Sequence, residues 1–260
     1  MKRREFLTLP LGVLLAPLAS VSGETSGRTA AYVVDVSFLY GAQTLRLTGT
    51  IDESREAAAG RYAVRIVGQG SGIANRIESS GIFTGGRWTP LRTASWFEVR
   101  GRESRSDVTY DYGRRMIEYH ARSETFLLRR LRVVDDTLPI PEMQQVDDVI
   151  SATLNYADGQ WTPAGDGRLH THVVRRRRRE GEGPDEVEKT YRAELAPFVL
   201  QIAPDPATGK PSARFDLTRF SSWAREDRPA HIIFGEDRRP ELITSSMILG
   251  TSIAIRMTGS

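Results

Sequence analysis

From Ala31 onward, apolar residues recur at every second position, and that period constrains the fold more than anything else in the chain. Successive side chains of a strand point to opposite faces, so strict alternation marks a half-buried strand. Tyr32, Val34, Val36 and Phe38 fall on one face. Leu45, Leu47 and Ile51 follow, and Tyr62, Val64 and Ile66 repeat the pattern after Gly60. Further strands are expected at 72–83, 95–100, 108–112 and 116–121, with Gly113-Arg114 as the hairpin turn between the last two. Gly85-Gly86 and Pro90 punctuate the run, and Asp135-Asp136 reads as a turn before Pro139. Strands resume at 169–175, 189–195, 198–202, 213–220, 230–234 and, in one or two pieces, 242–257.

The period breaks once, at 141–157. There Val146, Val149, Ile150 and Leu154 stand at helical spacing, Pro141 suits a first helical turn and Asp158-Gly159 closes the segment. One amphipathic helix among many strands has only a sheet face on which to bury its apolar stripe. The expected fold is therefore mainly β: a curved antiparallel sheet forming a barrel or half-barrel, with one helix packed on it. Val146, Val149, Ile150 and Leu154 should lie on the concave face, with Asp147 and Asp148 near its rim.

Residues 1–23 read as a signal peptide of the twin-arginine type. Lys2, Arg3 and Arg4 precede an apolar stretch at 6–18, and small residues follow at 19–23. The order Arg3-Arg4-Glu5-Phe6-Leu7 matches the twin-arginine pattern, and Pro10, Gly12 and Pro17 make the stretch a poor membrane span. Residues 24–260 then form a single β-rich domain, or two lobes joined near the 141–157 helix, with no transmembrane segment after signal removal. The chain has no cysteine, so its stability must come from its core rather than from disulfides. The leader contributes a net +2 of the chain's +3, leaving about +1, which argues against a nucleic-acid partner.

No residue pattern assigns catalysis. His170 and His172 share one strand face, yet no third metal ligand stands at a useful spacing, so no metal and no cofactor is expected. Gly68-Gln69-Gly70-Ser71-Gly72 lacks the helix that a nucleophile elbow or a phosphate loop requires and reads as a glycine-rich hairpin. Asp147 and Asp148 would point about 100° apart on a helix, so they do not converge on one substrate and instead stabilise the helix start or bond to strands. Arg175, Arg176, Arg177, Arg178 and Arg179 face five acids between 180 and 188 across a Gly-Pro loop, which favours self-neutralisation over a phosphate grip.

The order of short motifs resembles the exported domain-of-unknown-function 3108 family. The resemblance rests on the Tyr-rich strand at 31–40, the strand with Tyr62, Gly72-Ile73-Ala74 and Ser80-Gly81. It continues through Trp88-Thr89-Pro90-Leu91, the stretch from Val146 to Ala152, and Trp223 onward to Pro229-Ala230-His231-Ile232. It implies a periplasmic β protein and brings no catalytic residues. The function expected is a non-enzymatic binding or envelope-maintenance role with a hydrophobic or lipid-like ligand, whose contact residues the sequence does not name. The alternatives are a periplasmic hydrolase acting on carbohydrate or cell-envelope material, and a protein-docking scaffold. The sequence leaves the oligomeric state open.

Overall fold

A computed structural model describes residues 25–258, apart from Phe126, Leu127, Met143, Glu180, Pro184, Arg219, Ser222, Trp223 and Glu226. The leader expected at 1–23 lies outside the described residues, as does Trp223.

Alternation builds two long opening strands, β1 (Thr25–Phe38) and β2 (Gln43–Glu56). Val34 lies opposite Leu47 and Val36 opposite Leu45, so the apolar positions of both strands share one face. The meander continues through β3 (Arg61–Gly70), β4 (Ile73–Thr84), β5 (Arg87–Val99), β6 (Arg102–Asp111), β7 (Met116–Glu124) and β8 (Leu131–Pro139). Two-residue turns join β3 to β4 at Ser71-Gly72 and β4 to β5 at Gly85-Gly86. All four residues have positive φ, as turns that follow the strand twist require. The Gly68–Gly72 stretch is thus a hairpin, as its composition indicates.

After the helix come β9 (Leu169–Arg176), β10 (Ala193–Pro204), β11 (Pro211–Phe215), β12 (Ala230–Phe234), β13 (Pro240–Ser246) and β14 (Ser252–Met257). The order across the sheet is β8-β7-β6-β5-β4-β3-β2-β1-β14-β13-β12-β11-β10-β9, antiparallel throughout. Two meanders therefore run away from the central β1–β14 pair and curl until β8 and β9 approach each other, giving a nearly closed fourteen-strand barrel. The helix α1 (Val149–Ala157) falls in the β8–β9 connection, the one point where consecutive strands are not neighbours.

Three expectations are corrected. Asp135-Asp136 is not a turn but part of β8. The helix begins at Val149, not near Pro141: Asp148 caps it, accepting from the Ser151 amide at 2.6 Å while its own amide donates to Ser151 Oγ at 3.1 Å. Residues 145–147 instead run extended beside β9, with Val146 bridged in parallel to His172. Asp147 and Asp148 are not at the rim; both are buried. Of the four apolar helix candidates, Ile150 and Leu154 pack with Tyr62, Val64 and Trp88, as expected of a concave face. Val146 joins a separate cluster around Ile117 and Tyr119, and Val149 is 75% exposed.

Candidate functional site

Helix α1 is fixed to the inner wall by buried polar groups, and those groups determine what remains open beside it. Asn155, fully buried, accepts from the Trp88 amide (2.7 Å) and donates to the Trp88 carbonyl (2.9 Å), replacing a strand partner that β5 lacks there. Asp148 accepts from Ser79 Oγ (2.5 Å) on β4 and from Thr93 Oγ1 on β5. Tyr62 OH lies 3.0 Å from Ser79 Oγ and extends this chain of hydroxyls. Asp147 turns the other way, to Arg87, to Thr171 Oγ1 (2.5 Å) and to Ser151 Oγ (3.0 Å). Asp148 thus ties the helix start to β4 and β5, and Asp147, which precedes the helix, ties it to β5 through Arg87 and to β9 through Thr171.

Burial raises the Asp147 carboxyl above the ordinary range, against the opposing pull of the Arg87 guanidinium and the Thr171 hydroxyl. Burial, reinforced by the negative charge of Asp148, likewise pushes the Tyr62 and Tyr110 hydroxyls far up, so both stay protonated donors.

Held in this way, α1 leaves a cavity of about 540 Å³ between itself and the inner face of β1, β2, β3, β13 and β14. Ile51, Val64, Ile66, Ile243 and Met257 supply its sheet wall, and Ile150 and Leu154 its helical wall. The exposed Val149 stands on its lining as well. A charged rim surrounds this apolar interior. Arg239 grips Glu53 through two bonds of 2.7 and 2.9 Å, Arg28 meets Asp237 at 2.9 Å and Lys210 meets Glu241 at 2.6 Å. Every rim cation thus has a carboxylate on the same rim, and the rim carries no surplus positive charge. Such a site can take up an apolar body, with each methylene removed from water contributing about 0.8 kcal/mol. Its volume falls within the ordinary range for small-molecule pockets.

The other residues singled out by sequence lie elsewhere. His170 faces out to Asp166 (2.9 Å) and His172 Nδ1 lies 3.2 Å from the Gln145 carbonyl, while Thr171 between them points inward. Among the described residues no group of three or more His, Asp or Glu side chains could hold a metal. The arginine run is neutralised only in part by the acids that follow it. Arg176 pairs with Glu182 (2.7 Å) and Arg179 with Glu186 (3.0 Å), but Arg175 and Arg177 turn to Glu194 of β10. Arg28, Lys210, Arg239 and Met257 were not singled out by sequence, since nothing distinguishes them from any other strand or loop residue.

Fold and site together define a β-barrel-like domain with an internal helix and an apolar cavity beside it. No family model matches the chain, and no curated protein does. Among solved structures, a β-barrel-like protein of domain of unknown function DUF1849 from Brucella abortus is similar over 89% of this chain and 95% of its own, with 12% identity and a TM-score of 0.44. Among the described residues no helix is long and apolar enough to cross a membrane.

Proposed function

We propose that this is an exported, periplasmic binding protein that carries a hydrophobic or lipid-like ligand in the cavity beside α1. The observation that carries the reading is the cavity itself: an apolar wall drawn from five strands and one helix, with a self-paired rim that would not compete for an anionic head group. The twin-arginine pattern at Arg3-Arg4 and the resemblance to the exported domain-of-unknown-function 3108 family support the location.

Native mass spectrometry on protein recovered from its own cell envelope fraction tests the reading, together with titration by a fluorescent fatty-acyl probe. An apolar adduct and saturable probe binding are expected. Val149→Glu, which puts a charge on the cavity lining at a position already exposed, should weaken the probe by at least about tenfold without unfolding the chain. Ligand-free protein that also fails to bind the probe would overturn the proposal.

A further inference from the structure

A second cavity, of about 380 Å³, shares no lining residue with the first. Ser104, Ser106, Tyr119 and Ser123 line it from alternate positions of β6 and β7, the positions whose neighbours Val108, Tyr110 and Ile117 are buried. Arg132 enters from β8, Arg175 and Arg176 from β9, and Arg178 from the loop after it. Four guanidiniums therefore meet in one cavity inside or beside the barrel wall.

Their countercharges fall short. Glu182, whose side chain is almost fully buried, serves Arg176 at 2.7 Å and Arg132 at 3.5 Å. Glu194 serves Arg175 at 2.5 Å and is shared with the outward Arg177 at 3.9 Å. Arg178 has no carboxylate partner among the described residues: it donates to the carbonyls of Thr218 and Glu182. Among the described residues these two carboxylates thus stand against all four guanidiniums; Glu124 and Arg105, also on the lining, are engaged elsewhere, with Arg129 at 3.0 Å and Glu103 at 2.5 Å. The Nε–H groups of Arg175 and Arg178 are buried without any acceptor, an uncommon state for a charged donor. Burial, together with repulsion from Arg176, Arg175 and Arg132, pulls the Arg178 guanidinium below its ordinary range, although Glu182 opposes it. Guanidiniums crowd in this way at a cost, and an anion placed among them relieves it.

We propose that this cavity is a binding site for a phosphoryl group, held by Arg175 and Arg178 with the hydroxyls of β6 and β7 around it. A phosphate monoester carries a charge of about −1.5 to −2, which offsets the excess of these four guanidiniums over Glu182 and Glu194, and its three oxygens accept from forked N–H donors. The apolar neighbours Val134, Val174 and Phe220 leave room for a carbon substituent beside the phosphate.

The test is titration calorimetry of the mature chain at constant ionic strength. Phenyl phosphate and inorganic phosphate serve as soluble probes, and vesicles of phosphatidic acid against phosphatidylcholine as lipid ones. Saturable binding of a phosphoryl probe, absent with matched chloride, is expected. Arg175→Gln combined with Arg178→Gln should weaken it by at least about tenfold, and Arg178→Lys by less, since Lys keeps the charge and loses the fork. Binding of phenyl phosphate alone would assign a soluble ester, and binding of phosphatidic acid vesicles alone a lipid head group. Because the double variant removes donors to loop carbonyls, circular dichroism checks its fold. Should it be unfolded, phosphate must still raise the wild-type melting temperature above the chloride control. No saturable binding by any probe to the wild type, or equal binding by a folded double variant, would overturn the site. Neither result bears on the fatty-acyl probe, whose cavity is separate.

Discussion

Asp147 and Arg87 form the ion pair on which the helix anchor depends. Asp147 is fully buried and the Arg87 side chain is only 13% exposed, so each ion has exchanged water for the other and for neighbouring hydroxyls. Breaking a buried pair by removing one partner leaves an uncompensated charge and costs about 3–5 kcal/mol. Arg87→Met should therefore destabilise the protein by about that amount at pH 8. The sign of its pH dependence follows from the raised Asp147 carboxyl. A carboxyl whose folded pKa lies above its unfolded value binds more protons in the folded state, so stability falls as pH rises from about 4 through the folded value. Removing Arg87 takes away an influence that holds the carboxyl down, which widens that window. The penalty of Arg87→Met should accordingly shrink as pH falls from 8 to 5. Urea titrations of both chains at the two pH values measure it, and a penalty independent of pH would show that Asp147 is not the group left unpaired.

At the scale of elements, helix α1 presents two apolar faces with different purposes. Ile150 packs with Tyr62, Val64 and Trp88, so Ile150→Ala should cost about 2–5 kcal/mol, as large-to-small changes in packed cores do. Val149 is exposed on the cavity lining, and Val149→Ala should cost under about 0.5 kcal/mol. Equal losses in a denaturant titration would mean that the helix is seated differently. The sequence made most strands legible because their inward positions are apolar, as in the run Tyr32, Val34, Val36 and Phe38. It hid β8 because that strand inverts the rule. Arg132 and Asp136 point inward to backbone partners, while Leu131 and Val133 are exposed. The extended segment at 145–147 carries a helical pattern because Val146 and Ile150 keep helical spacing although each belongs to a different cluster. Neither cavity was legible: Ile51, Ile66 and Met257 have the pattern of filled core, and only the curl of the sheet leaves space between them and α1. The sharing of Glu182 and Glu194 among several arginines is equally hidden in the sequence, since it depends on which acids fold back.

At the scale of the whole molecule, the barrel's one weak line is the seam between its two meanders. No ladder joins β8 to β9; side chains and the extended segment at 145–147 fill the gap. The His172 amide donates to the Gln145 carbonyl (2.9 Å) and the Asp147 amide to the His172 carbonyl (2.8 Å), which holds that segment to β9. Farther along, Asp136 of β8 accepts from the Ala193 amide of β10 (2.9 Å) and from Arg192 (3.1 Å). Burial pushes the Asp136 carboxyl up, yet the amides of Ala193 and Thr137 and the Arg192 guanidinium together hold it below its ordinary range. A carboxyl depressed in the folded state contributes stability that is present above its unfolded pKa, about 3.9, and is lost as pH falls through the folded value. Asp136→Ala should cost about 1.5–3 kcal/mol, the range for hydrogen bonds to a charged group. The loss should be local. In native-state hydrogen exchange, the Ala193 amide should lose protection in the variant, while amides of β2 and β3, on the far side of the sheet order, should keep theirs relative to global unfolding. A uniform loss across all strands would mean that the seam does not open by itself. The fourteen strands would then unfold as one unit, and any ligand would have to enter past the rim rather than through the seam.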